Sequence, residues 1–220
     1  MTSFLIQNAH AILTGAEGVT ARTTSTDIRV EAGVITALGQ LSPHPGEQRI
    51  DASHGVVYPG FVNTHHHLFQ SLLKGVPEAL NVPLFEWLQA VPYRYAPYLD
   101  DACLEAAATL GMVELLLSGC TTVADHHYLY GQGVHYDPTE LMFEVADKMG
   151  LRFVLMRGGA TRGRTFATDE RLPMPTEPFD VLLKSIEQAV QTYHDPSTAA
   201  FRKVVLAPST PFYSCSPDEL

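Results

Sequence analysis

Val62-Asn63-Thr64-His65-His66-His67-Leu68 closes a short apolar run, Val56-Val57-Tyr58-Pro59-Gly60-Phe61-Val62, of the continuous kind that reads as a buried strand. The histidines fall where that strand ends. Side chains alternate along a strand, so His65 and His67 share one face and His66 takes the other. Two imidazoles on one face can close on a single ion, and neutral imidazole nitrogen suits zinc or ferrous iron. A catalytic centre of that kind needs further protein ligands and one position left for water. The run is short and internal, unlike an appended purification tag.

The rest of the composition narrows the partners. At 220 residues, with 45% hydrophobic and 17% charged residues, the chain has material for one sizeable core or two small ones and is not a disordered polymer. A formal charge of −10 argues against a nucleic-acid backbone or an anionic membrane surface as the main partner, since both need clustered Lys and Arg. A small-molecule substrate fits better. Cys103, Cys120 and Cys215 are odd in number and far apart, which gives neither a disulfide framework nor a zinc-knuckle spacing and favours a reducing compartment. With no signal-peptide pattern and no apolar run near the ~18 residues of a membrane span, the expected location is the cytoplasm.

Upstream of the histidines, residues 1–58 read as β structure: Phe4-Leu5-Ile6, Ala11-Ile12-Leu13, Ile28-Arg29-Val30 and Val34-Ile35-Thr36-Ala37-Leu38 are short apolar runs split by turns. Glu31-Ala32-Gly33 reads as a hairpin connection. Downstream, residues 59–220 repeat a strand, loop and helix pattern. A long connection from Phe69 to Leu99 has an aromatic centre, Leu84-Phe85-Glu86-Trp87-Leu88, and is expected to form a lid or pocket wall. Helices are predicted over about 101–118, from Pro138 to Gly150 and over about 179–194, with strands over 120–125, 151–156 and 203–207. An Arg-, Gly- and Pro-containing loop precedes the third helix, and Ser216-Pro217-Asp218-Glu219 begins another.

Strands alternating with helices predict a parallel sheet made by right-handed crossovers. A doubly wound sheet and a (β/α)8 barrel compete. No Gly-rich phosphate loop follows a strand, and polar residues gather at the strand ends: His65, His67, Asp125, His127, Arg157, Ser209 and Thr210. The expectation is the N-terminal half of a (β/α)8 barrel, an α/β fold, preceded by a small β-sandwich segment. A finished half-barrel acting as a non-catalytic module is the alternative from a different functional class.

These strings carry a resemblance. Tyr58-Pro59-Gly60-Phe61-Val62-Asn63-Thr64-His65-His66-His67, Phe69-Gln70-Ser71-Leu72, the Trp87 loop and Ser118-Gly119-Cys120-Thr121-Thr122-Val123-Ala124-Asp125-His126-His127 resemble the amidohydrolase superfamily. Within it the nearest likeness is to deaminases of oxidised purines and pterins, the 8-oxoguanine and isoxanthopterin group. The string Leu151-Arg152-Phe153-Val154-Leu155-Met156-Arg157-Gly158-Gly159-Ala160 leans toward the isoxanthopterin branch. The resemblance implies a distorted barrel with one divalent metal, commonly zinc with iron as the other candidate, and a homo-oligomer when intact. It implies that His65 and His67 are two metal ligands. It also implies that the other ligands, a histidine and an aspartate, and the proton-transfer residues follow later strands, beyond Leu220. The activity implied is hydrolytic release of ammonia from an amino-bearing bicyclic heterocycle such as isoxanthopterin or 8-oxoguanine. Removal of chloride or an alkylamine from a triazine is the alternative within the superfamily.

Four further residues are candidates for substrate contact. Gln70 offers an amide donor and acceptor to a lactam edge, and Trp87 an indole face to a flat ring. Arg157 could present its planar fork to a ring carbonyl or pair with a rim acid such as Asp125. At most one of His126 and His127 can face the barrel interior, and the sequence leaves open which; alternation places the candidate His127 with Asp125.

Overall fold

The computed structural model describes residues 3–131, 133–163, 175–210 and 214–219. These form two compact units, Met1–Gly60 and Phe61–Leu220.

In the first unit, strands β1 (Ser3–Gln7), β4 (Asp27–Glu31), β5 (Val34–Gly39) and β6 (Gln48–Asp51) form one sheet in the order β5-β4-β1-β6. Strands β2 (Ala11–Leu13), β3 (Arg22–Thr23) and β7 (Val56–Val57) form a second in the order β3-β2-β7. Buried Ile12 and Ile28 pack with Ile6, Val30 and Val57, so side chains from both sheets share one small core. Ala32 and Gly33 both have positive φ, 50° and 80°, as a tight hairpin turn between β4 and β5 requires. The apolar runs were legible as strands; the polar pair β3 and β6 were not, because Arg22-Thr23 and Gln48-Arg49-Ile50-Asp51 are held by backbone pairing rather than by burial.

The second unit is one parallel sheet with helices. Strands β8 (Phe61–His66), β9 (Cys120–His127), β10 (Arg152–Arg157) and β11 (Arg202–Leu206) lie side by side in chain order. Helix α3 (Asp101–Leu117) connects β8 to β9, α4 (Pro138–Met149) connects β9 to β10, and α5 (Phe179–Tyr193) connects β10 to β11. Leu104, Ala108 and Met112 of α3, Met142, Phe143 and Ala146 of α4 and Ala189 of α5 join Val123, Phe153, Leu155 and Val204 of the sheet in one core. All three helices therefore cover the same face. Sequential strand order with one-sided helices is the pattern of a barrel wall; a doubly wound sheet carries helices on both faces and reverses strand order. The connection before α5 lies partly outside the described residues.

The helix ends follow their capping residues. Asp100 accepts a hydrogen bond from the Cys103 N–H at 2.8 Å at the start of α3. Asp137 does the same for Thr139 at 2.8 Å, Pro138 occupies the first turn of α4, and Gly150 ends it at φ 69°. The stretch 56–62 corrects its first reading. It is not one buried strand: Val56–Val57 belongs to the first unit, and Phe61 and Val62 at the start of β8 are 60% and 63% exposed. A strand with a neighbour on one side only keeps half its surroundings, and β8 is an edge of the four-stranded sheet. Among the described residues, no helix is long and apolar enough to cross a membrane.

Candidate active site

The end of β8 and the turn after it are fixed by four hydrogen bonds. Asn63 Oδ1 accepts from the His65 N–H at 2.9 Å. His67 Nδ1 lies 2.8 Å from the carbonyl oxygen of His126, and since a carbonyl only accepts, this ring nitrogen carries the proton. The other ring nitrogen, Nε2, is then the one with a free lone pair. Asp125 Oδ1 accepts from the Leu68 N–H at 2.5 Å, and the His67 carbonyl accepts from the Gln70 N–H at 2.9 Å. The 3-10 turn Leu68–Leu73 begins there, with Leu68, Phe69 and Ser71 buried against α3. Gly111 of α3 makes that fit: a Cβ at this position would stand 2.6 Å from Leu68 Cδ2 and 2.6 Å from Ser71 Oγ.

His65 and His67 share a face as alternation requires. Their ring centres are 5.5 Å apart with the planes at 89°. Two imidazoles joined to one zinc by nitrogen bonds of ~2.0–2.1 Å in tetrahedral geometry place their ring centres roughly 5–5.5 Å apart. The pair fits two positions of such a shell, with His67 already holding its second nitrogen on a backbone carbonyl in the manner of metal-bound histidines. Among the described residues, no group of three or more His, Cys, Asp or Glu gathers for a metal. Burial holds the His67 imidazole below its usual pKa, the bond to His126 opposing, so the ring is neutral and ready to donate a lone pair at pH 7.

A cavity of about 380 Å³ opens beside the pair, lined by His65, His67, Gln70, Lys74, Leu80 and Trp87 among others. Gln70 and Trp87 thus share one space with the two imidazoles. The amide Nε2 of Gln70 donates to the Tyr128 hydroxyl at 3.2 Å, which leaves its carbonyl oxygen unassigned. Trp87 belongs to α1 (Leu84–Ala90), so the 69–99 connection is a string of short helical turns and not an irregular loop.

Two expected contacts lie elsewhere. His127 is fully buried, with its ring 5.8 Å from Phe69 and 5.2 Å from Tyr130. Along β9, Val123, Asp125 and His127 are buried toward the helices while Thr122, Ala124 and His126 are half-buried on the opposite face. The placement of His127 with Asp125 is right, but both point away from the cavity. Arg157 is in register with His127 across the parallel pair and shares its direction. Its guanidinium is fully buried and makes a bidentate ion pair with Glu177, 2.7 Å to each oxygen, over the Tyr130 ring at 3.6 Å. It presents no fork to a substrate.

Of the two histidines left open by the sequence, the one on the cavity face of β9 is His126. Its ring centre is 5.5 Å from that of His67 and 5.3 Å from that of Tyr128, and its Nε2 donates to the Ala207 carbonyl at 2.9 Å. Gly158 makes room for it, since a Cβ there would stand 2.7 Å from His126 Nε2. Burial lowers the His126 pKa as it does for His67. Apolar Val123 between Thr122 and Ala124 was the sequence signal for the correct phase. It is weakened by a register shift at Phe61/Val62 against β9, which puts Cys120 out of step with the residues that follow.

The match to known proteins now decides the family. The model of the amidohydrolase family fits residues 56–220 of the chain. The chain belongs to the amidohydrolase family. This amidohydrolase is 48% identical to an isoxanthopterin deaminase from an unknown prokaryotic organism, over 99% of its own length and 46% of that protein. It is 36% identical to an 8-oxoguanine deaminase of Pseudomonas aeruginosa, over 96% of its length and 46% of the relative. A crystal structure of the atrazine chlorohydrolase TrzN from Arthrobacter aurescens TC1, complexed with zinc, superposes with a TM-score of 0.85 at 25% identity, covering 98% of this amidohydrolase and 48% of TrzN. The chain spans about half the length of the relatives it matches. Half-length coverage agrees with a wall of four successive parallel strands and the three helices that join them, out of the family barrel.

Proposed function

We propose that this chain supplies the first two metal ligands, His65 and His67, and part of the substrate pocket of a hydrolytic deaminase. Its substrate in this reading is an amino-bearing bicyclic lactam of the isoxanthopterin or 8-oxoguanine kind. The observation that carries the reading is the fixed tautomer of His67: with Nδ1–H donated to the His126 carbonyl, Nε2 is left for a cation beside His65. A divalent cation, zinc or iron, supplies a Lewis acid and a water of lowered pKa when bound. The remaining ligands and proton-transfer groups come, in this reading, from sequence matching the half of the relatives that this chain does not span. The 48% identity to an isoxanthopterin deaminase supports the substrate class.

The residues of the chain orient the ring. The Gln70 carbonyl oxygen, its amide nitrogen held by Tyr128, accepts from a ring N–H at the lactam edge, and the Trp87 indole covers one face. His126 packs behind His67, its ring centre 5.5 Å away. In the overall reaction water adds at the amino-bearing ring carbon, the exocyclic C–N bond breaks, ammonia leaves and a carbonyl remains. The three unpaired cysteines suit a reducing, cytoplasmic setting.

Ammonia release from isoxanthopterin, 8-oxoguanine and an aminotriazine, with chloride release from a chlorotriazine, tests the reading on the zinc-loaded gene product. Turnover of isoxanthopterin or 8-oxoguanine supports it. Chloride release alone would favour the triazine activity that TrzN is named for, and absence of ammonia from every amino heterocycle would remove the deaminase assignment.

A further inference from the structure

We propose that Asp125 is a positioning residue for the metal-binding pair, holding the main chain behind His65 and His67 so that both rings stay turned to the cavity. The inference rests on the reading of His65 and His67 as ligands.

Asp125 is fully buried on the helix-covered face of β9 and does not line the cavity. A buried carboxyl is costly unless its hydrogen bonds are satisfied, and this one has a single close partner: Oδ1 accepts from Leu68 N–H at 2.5 Å, while Oδ2 has none. The nearest ring nitrogen, His66 Nδ1, is 3.9 Å from Oδ1. An apolar residue would suit such a position better unless the one bond it makes matters. Leu68 is the first residue after the ligands and the first of the 3-10 turn, where N–H groups lack partners within the turn. No side chain from the residue before it caps that turn. Asp125 does so from the neighbouring strand.

The consecutive residue completes the hold. His126 offers its carbonyl to His67 Nδ1 on the cavity side, while Asp125 grips the Leu68 amide on the helix side. One rigid strand thus fixes both the tautomer of a ligand ring and the backbone one residue beyond it. A lost grip at Leu68 leaves the His67 ring tied to β9 but frees the chain that carries it, so metal affinity falls although neither imidazole has been touched.

The test compares Asp125→Asn and Asp125→Leu with the wild-type gene product, using zinc as the probe in competition with a chromophoric chelator. Asp125→Asn keeps an oxygen acceptor for Leu68 and should hold zinc within about threefold of wild type; Asp125→Leu, of similar volume without the acceptor, should lose about 10-fold or more. Equal zinc affinity in wild type and in folded Asp125→Leu would overturn the role of Asp125 and leave the ligand assignment standing. Zinc affinity unchanged when His65 and His67 are both replaced by alanine removes the ligand assignment and this inference with it. Should Asp125→Leu fail to fold, hydrogen exchange in the wild type decides. The Leu68 amide should then be strongly protected, and exchange at the rate of an open loop would overturn the proposal.

Discussion

Arg157 and Glu177 meet in a two-point ion pair, 2.7 Å at each oxygen, sealed between the sheet and the start of α5, where Ser185 also accepts from the guanidinium at 2.8 Å. Neither charge reaches water to any extent, at 0% and 6% side-chain exposure. The pair ties the end of β10 to the chain entering the next helix. A substitution that removes one partner leaves the other charge buried alone, which costs about 3–5 kcal/mol. Glu177→Gln should therefore lower unfolding stability in urea by about that amount. A loss below about 1 kcal/mol would contradict the sealed pair.

Gly111→Ala tests the seat of the ligand turn. Alanine is the better helix former by about 1 kcal/mol, yet its Cβ would meet Leu68 and Ser71 at 2.6 Å each. Overpacking of that kind costs about 1–3 kcal/mol. The expected outcome is a net loss of stability together with weaker zinc binding, because the displaced residues follow His67 directly. A variant more stable than wild type would show that the turn has room to move.

The fold was legible because its signals are local. Asp100, Asp137-Pro138 and Gly150 mark helix ends by chemistry that operates within one turn. The two imidazoles at one strand end were legible for the same reason, since period-two alternation is a property of the strand itself. The direction of His126, His127 and Arg157 was not, because alternation gives relative phase and only the packing of α3, α4 and α5 gives the absolute face. Of the two readings of Arg157, a substrate contact or an ion pair with a rim acid, the ion pair holds, but its acid could not be named because Glu177 is 20 residues away in sequence and only the crossover brings it close.

Two buried groups predict a stability maximum near neutrality. Burial lowers the His127 pKa to about 3, so below the ordinary imidazole value the unfolded chain takes up a proton that the folded chain refuses, and stability falls with falling pH. The lowered values of His66, His67 and His126 act in the same sense. Burial raises the Asp125 pKa to about 8, so above the ordinary carboxylate value the unfolded chain releases a proton that the folded chain retains, and stability falls as pH rises until about 8. In the acid range the imidazoles outnumber the carboxyl; above about pH 6.5 only the carboxyl slope is left among these groups. Urea unfolding of the metal-free chain from pH 4 to 9 should peak at about pH 6.5, with Asp125→Asn flattening the alkaline side and His127→Phe the acid side. A curve still rising from pH 7 to 8 would contradict the buried neutral carboxyl.

We propose that His65 and His67 share one cation through a free His67 Nε2, while His127 lies buried behind them. Zinc titration of the gene product, followed by nitrogen-15 spectra of its histidine rings, reads that position atom by atom. The account predicts that His67 starts with its proton on Nδ1, that zinc shifts its Nε2 together with one ring nitrogen of His65, and that His127 stays unmoved. A His67 ring protonated on Nε2, or zinc shifts that bypass His65 and His67, would contradict it.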